Sequence, residues 1–196
     1  MRGKFINIEG LDGCGKSTNV KLLANWLLSI GRKVIITNEP TDGPIGKVIK
    51  KVLMGKLKIP VEAEALLFAS DRLHHIVDVI NPALQSGKIV LNERYTPSSL
   101  AYQSARGLSI GWIKIINRHA LKPNLNVLID VLPGISFGRI SRSRKLDEFE
   151  RDFQLQKKVR QNYLQIAEQT RMMIVNGSLP MAEVQVEIRN LVKDLL

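Results

Sequence analysis

Two hydrophobic patterns take turns along the chain. Short apolar runs, at Phe5-Ile6-Asn7-Ile8 and at residues 33–37, 88–91, 125–131 and 171–175, predict five strands. Between them, apolar residues return every three or four positions. Val20, Leu22, Leu23, Trp26, Leu27 and Ile30 predict a helix over 19–30, and similar spacing predicts helices over 45–53, 97–106 and 110–121. A longer helix is expected over 61–84, with Pro60 near its start and Gly87 beyond its end. A basic, mixed-charge helix should run to about Gln169, and a last helix should end the chain. Turn residues punctuate these elements at 38–44, at Pro123, at Pro133-Gly134 and at Asn176-Gly177. Strands nearly continuous in Val, Ile and Leu, each followed by a helix, predict an α/β fold. It is a doubly wound, five-stranded parallel sheet with helices on both faces, formed as one domain over 1–196.

The first predicted strand runs into Gly10-Leu11-Asp12-Gly13-Cys14-Gly15-Lys16-Ser17, with Thr18 next, and a helix follows. This is a complete G-x-x-x-x-G-K-[ST] loop between a strand and a helix, the context that the motif requires. Glycines let backbone N–H groups converge on a polyphosphate, and the helix N-terminus adds the positive end of its dipole. Lys16 is expected to reach the β- and γ-phosphates of ATP and Ser17 to hold Mg²⁺. Ligands of such sheets gather at the carboxyl ends of the strands. That rule brings Glu39-Pro40 and Glu93-Arg94-Tyr95 to the same rim as the loop.

Composition narrows the class further. With 196 residues and 44% hydrophobic content, the chain can bury about 70% of its unfolded surface without staples. One cysteine, Cys14, excludes an internal disulfide. A strand at the N-terminus leaves no room for a leader, and no apolar run reaches the ~20 residues of a membrane span, so a cytoplasmic protein is expected. The net charge of +11 fits a nucleic-acid binder and also an enzyme holding two phosphorylated substrates. Lys47, Lys50, Lys51, Lys56 and Lys58 read as dispersed, solvated charges. No aromatic residues alternate with basic ones as a single-strand groove needs, and nucleic acid is not the expected partner.

Taken in order, several motifs resemble the thymidylate kinases, a family of P-loop nucleoside monophosphate kinases. They are Glu9 through Ser17, Glu39-Pro40-Thr41, Leu67-Phe68-Ala69-Ser70-Asp71-Arg72, and Glu93-Arg94-Tyr95 followed by Ser98-Ser99-Leu100-Ala101-Tyr102-Gln103. An arginine-rich segment, 139–145, precedes Leu146-Asp147. The resemblance implies transfer of the ATP γ-phosphate to dTMP, dependence on Mg²⁺, and a homodimer. It implies that Phe68 stacks on the base and Arg72 meets its exocyclic oxygen. Their i, i+4 spacing puts both on one helix face, although helical spacing alone would place Phe68 in the core. Arg94 would bind the acceptor phosphate, with Ser98, Ser99, Glu39 and Pro40 around it. Tyr102 would pack on the deoxyribose, and Asp12 would lie near the sugar hydroxyl and the metal site.

Some family members carry an arginine inside the loop where Gly13 stands. Here the resemblance assigns that charge to a mobile basic lid near 134–147, through Arg139 and Arg142. The same arginines also read as a solvated patch or a nucleic-acid contact. Two positions depart from the family pattern. Glu93, the second metal-site residue beside Ser17, replaces the usual aspartate, and Asn38 replaces a common arginine. His75, one turn beyond Arg72, is expected to be packing or solvent-facing. A kinase for another monophosphate such as dUMP, or a weakly active nucleotide-binding protein, would share much of this sequence.

Overall fold

The computed structural model describes residues 3–141 and 152–196. Five parallel strands, β1 (Lys4–Glu9), β2 (Val34–Asn38), β3 (Ile89–Glu93), β4 (Leu125–Asp130) and β5 (Met173–Asn176), form one sheet in the order β2-β3-β1-β4-β5. The strand order reverses beside β1, so the loop after β1 opens at the switch point.

Alternation along each strand divides the core. Ile6 and Ile8 of β1, Leu91 of β3 and Val127 and Ile129 of β4 pack with Val20, Leu23 and Leu27 of α1 (Lys16–Ser29) and with Val184 and Ile188 of α9 (Met181–Lys193). The opposite face has two parts. Phe5 and Val90 meet Ile76 and Ile80, from the long helix that includes α3 (Val61–His75), a π-helical stretch at Ile76–Ile80 and α4 (Asn81–Gln85). Leu128 meets α5 (Thr96–Ala105) and α8 (Phe153–Thr170) through Ala101, Val159 and Tyr163. Three further helices complete the set among the described residues: α2 (Pro44–Leu53), α6 (Ile110–Ile116) and α7 (Pro133–Ser141).

Departures from the predicted boundaries have local causes. The first helix begins at Lys16 rather than 19, so Lys16, Ser17 and Thr18 form its opening turn. The α6 helix stops at Ile116, not near 121, because the Asn117 side chain donates to the Ile113 carbonyl (2.8 Å) and takes over the end of the helix. Pro133 does not close a strand but starts α7, where its missing N–H is harmless. Arg171 is not the first residue of the last strand. It adopts a left-handed conformation (φ 55°) and terminates α8.

Leu23 sits with no exposed surface between the sheet and α9. Leu23→Ala is expected to lower unfolding free energy by about 2–5 kcal/mol, read from urea denaturation. A loss well under 1 kcal/mol would mean that this face is loosely packed.

Candidate active site

The phosphate loop is built by positive-φ glycines in tight quarters. Gly10 has φ 142°, and a Cβ there would lie 2.5 Å from the Ile129 carbonyl oxygen. Gly13 has φ 74°, and its Cβ would lie 2.7 Å from the Ser136 carbonyl oxygen of α7. The space an in-loop arginine would need is thus taken by α7, whose Ser136 hydroxyl donates to the Asp12 carbonyl. Lys16 is buried inside the curl and donates to the carbonyls of Leu11 (2.8 Å) and Gly10 (3.1 Å). Burial pushes the Cys14 thiol above its ordinary pKa, so it behaves as a small apolar side chain. The Ser17 hydroxyl donates to Glu93 Oε2 at 2.7 Å, joining α1 to the end of β3. Arg139 spans two loops, donating to the carbonyls of Cys14 (3.4 Å) and Gly177 (3.1 Å). Arg142 lies outside the described residues.

Beside the loop opens a cavity of about 160 Å³, whose walls include Pro40, Phe68, Arg72, Ser99, Tyr102 and Gln103. Phe68 is half-buried on this wall and belongs to none of the apolar clusters among the described residues, so the core reading of its spacing does not hold. Arg72 is almost wholly enclosed. It donates to Glu39 Oε2 through Nε (2.9 Å), to Ser99 Oγ through Nη2 (3.1 Å) and to Asn117 Oδ1; Nη2 also lies 2.8 Å from Glu39 Oε2 as an ion pair, and the guanidinium lies 5.0 Å from the Tyr95 ring centre. The other Glu39 oxygen pairs with His75 Nδ1 (3.1 Å), while His75 Nε2 meets the Thr37 hydroxyl (2.6 Å). His75 is therefore neither solvent-facing nor simple packing. It is a polar link with 1% exposure. Asn38 Nδ2 donates to the Pro40 carbonyl (2.9 Å), bracing the cis Glu39–Pro40 turn.

Arg94 joins the cavity to the loop. Its Nη2 donates to Asp12 Oδ1 (2.6 Å), its Nη1 to Ser98 Oγ (3.2 Å), and its guanidinium lies 5.1 Å from the centre of the Tyr102 ring. Burial acts to raise the Asp12 pKa, but Arg94 and Lys16 outweigh it and hold the carboxyl well below the usual range. Burial likewise opposes the Arg94 charge, and the Asp12 carboxylate more than restores it. Both groups are thus charged throughout the neutral pH range. Burial pushes the Tyr102 hydroxyl up, and it stays a neutral donor to Asp12 Oδ2 (3.3 Å).

The family model described as Thymidylate kinase matches residues 8–188. The chain is 47% identical to a protein named probable thymidylate kinase from Thermococcus kodakarensis, over 98% of both chains. It is 41% identical to one named thymidylate kinase from a Sulfurihydrogenibium species, over 93% of both. The chain belongs to the thymidylate kinase family. The doubly wound parallel sheet expected from the sequence is the architecture observed, and it is that of the P-loop kinases.

Several residues inside the quoted motifs have roles at this thymidylate kinase site that the motifs did not assign to them. Glu9 has no exposed surface and accepts from four groups: Asn7 Nδ2 (3.0 Å), the Tyr95 backbone N–H (2.7 Å), Ser98 Oγ (2.6 Å) and Tyr163 OH (2.9 Å). Ser98, which also lines the cavity, therefore links Glu9 to Arg94. Gln103 lines the cavity, and its buried Oε1 finds no hydrogen-bond partner among the described residues. A sequence signal did exist for Asn7 and Glu9, which are polar residues on alternate positions of an otherwise apolar strand. Asp71 gave no such sign, yet its carboxylate accepts from the Thr41 N–H (2.8 Å) and hydroxyl (2.6 Å), fixing the loop after Pro40.

Removing Arg72 would leave the buried Glu39 carboxylate with His75 alone of these two partners. Arg72→Ala is expected to cost about 3–5 kcal/mol of stability in addition to any effect on base recognition. A chemical-denaturation midpoint equal to the parent's would show that the Glu39–Arg72 pair does not support the fold.

Proposed function

We infer that the chain transfers the γ-phosphate of ATP to dTMP, giving ADP and dTDP. The observation that carries this reading is the shared rim, where one ion pair, Arg94–Asp12, ties the phosphate loop to a cavity walled by an aromatic face and polar side chains. In the transfer, a phosphate oxygen of dTMP attacks the γ-phosphorus, the bond from that phosphorus to the β,γ-bridging oxygen breaks, and ADP leaves with the electron pair. Such a reaction needs positioning and positive charge more than covalent chemistry.

The chain's own residues take these roles in the proposal. Backbone N–H groups of residues 10–18 wrap the donor phosphates, and Lys16 shifts from the Gly10 and Leu11 carbonyls onto the β- and γ-oxygens. Arg94 holds the acceptor phosphate, with Asp12 keeping its guanidinium fork in place. Arg139, already seated against the loop carbonyl of Cys14, and Arg142 supply charge to the group in flight. Phe68 stacks on thymine, Arg72 borders its edge, and Tyr102 crowds the ribose. The unpaired Gln103 oxygen suits the ring N3–H of thymine.

Ser17 Oγ and the Glu93 carboxylate, 2.7 Å apart, are hard oxygen donors of the kind Mg²⁺ takes. The longer Glu93 arm still reaches the Ser17 hydroxyl, so the residues present fit the ion. Bound there, Mg²⁺ would neutralise charge on the β- and γ-oxygens.

A homodimer is also proposed. Leu66, Leu73 and Val77 are exposed and fall on one stripe of the long helix that begins at Val61. None of the helices among the described residues is long and apolar enough to cross a membrane.

Three measurements test these readings. A coupled ADP-release assay across a panel of monophosphates should show dTMP as the best acceptor, and Lys16→Ala should abolish transfer while leaving the circular dichroism unchanged. Activity of that variant within about tenfold of the parent, or 1.4 kcal/mol of barrier, would remove the loop from the chemistry. Phe68→Ala should raise the dTMP KM by the roughly 1–3 kcal/mol of a lost base stack, with the ATP KM unchanged. If that variant only melts earlier with parental kinetics, the base lies elsewhere. Val77→Asp should halve the mass seen by light scattering, and an unaltered mass would place the interface on another face.

A further inference from the structure

Asn7, Asn92 and Asn126 stand abreast in β1, β3 and β4, with Asn7 in register with both of the others. Asn7 and Asn92 have no exposed surface. Amides in such a place are tolerated only where hydrogen bonds replace those lost to water. Here every amide N–H of the buried pair is engaged. Asn92 Nδ2 donates to Asn7 Oδ1 (3.1 Å) and to the Arg94 carbonyl (2.7 Å). Asn7 Nδ2 donates to Glu9 Oε1 (3.0 Å) and to Asn126 Oδ1 (3.0 Å).

Both ends of this row act on one residue. Arg94 is a non-glycine residue in the left-handed region (φ 66°), a backbone state that persists only where its surroundings enforce it. Its N–H donates to the Ile8 carbonyl (3.1 Å), and its own carbonyl is held by Asn92. At the other end, Glu9 receives the Ser98 hydroxyl, and that same oxygen accepts from Arg94 Nη1. The row therefore grips Arg94 at its backbone and, through Glu9 and Ser98, at its guanidinium. Meanwhile the side-chain oxygen of Asn92, Oδ1, finds no partner among the described residues, so the amide is oriented to serve its donors. A row whose purpose was packing alone could be apolar at no such penalty.

We propose that Asn92 and Asn7 are positioning residues for Arg94, locking its left-handed backbone and its side chain in the geometry that receives the acceptor phosphate. The proposal rests on Arg94 being the acceptor-phosphate ligand. The discriminating variant converts the whole row to apolar residues, Asn7→Val with Asn92→Val and Asn126→Val. Replacing the three asparagines together leaves no amide unpaired within the row, and Glu9 keeps its donors from the Tyr95 N–H, Ser98 and Tyr163, so the Arg94 carbonyl is the group that loses its tether and the fold should survive. Acceptor handling should not. Expected is a cooperative unfolding transition near the parent's Tm, an unchanged ATP KM, and kcat/KM for dTMP lowered at least tenfold. A kcat/KM within about twofold of the parent's would overturn the proposal and leave the row purely structural. Should the triple variant fail to fold, Asn92→Ala removes the Arg94 tether and leaves the Asn7 bonds to Glu9 and Asn126 in place. The same loss is expected of it, and parental kinetics would again overturn the proposal. A parent unable to phosphorylate dTMP would overturn the reading of the site itself, together with this inference. A working parent with unaffected variants overturns the inference alone.

Discussion

Two buried carboxyl groups, Glu9 at the end of β1 and Glu39 just after β2, set the terms for this site. A carboxyl group cut off from water must collect donors from the protein or destabilise it severely. Glu9 collects them from β1, from the Tyr95 backbone, from α5 and from α8. Glu39 collects them from Arg72 and His75 on α3. The result is that β1, β2, α3, α5 and α8 are fastened to one another at the rim beside the phosphate loop. Hydrophobic burial assembles the sheet and its helices, but it has no direction. The two carboxyl groups supply the direction.

The charges at this rim are arranged in depth. Asp12, held strongly acidic by Arg94 and Lys16, orients the Arg94 guanidinium, the proposed ligand of the acceptor phosphate. Lys16 is stored within the loop on carbonyl oxygens, which a polyphosphate can replace with stronger, charged acceptors. Arg139 approaches the same loop from α7, whose Ser136 carbonyl and Ile140 side chain occupy the space that a side chain at Gly13 would need. The loop's own lack of an arginine and the presence of α7 against it are therefore two sides of one packing choice. Fixed charges of this kind need no reorganisation at the moment of transfer, which is where phosphoryl-transfer enzymes obtain their rate.

What the sequence determined by itself was whatever depends on local pattern. The strands, most of the helices, the phosphate loop and the parallel order of units follow from periodicity and from glycines at positions that only glycine tolerates, such as Gly10. The i, i+4 pair Phe68 and Arg72 was legible as one face, and both line the cavity. Tertiary structure alone decided what depends on residues far apart in the chain. Helical spacing cannot tell a core phenylalanine from one on a cavity wall, because both are apolar at the same period. It left His75 open between packing and solvent, since the partners it meets when buried, Thr37 and Glu39, lie more than thirty positions away. It could not show that Arg72 spends three hydrogen bonds on Glu39, Ser99 and Asn117, or that an exposed-looking Asn117 ends α6 while binding that arginine. The asparagines of β1, β3 and β4 are single polar interruptions in three separate runs. Only sheet register, a property of pairing and not of any one strand, turns them into a continuous row beneath Arg94.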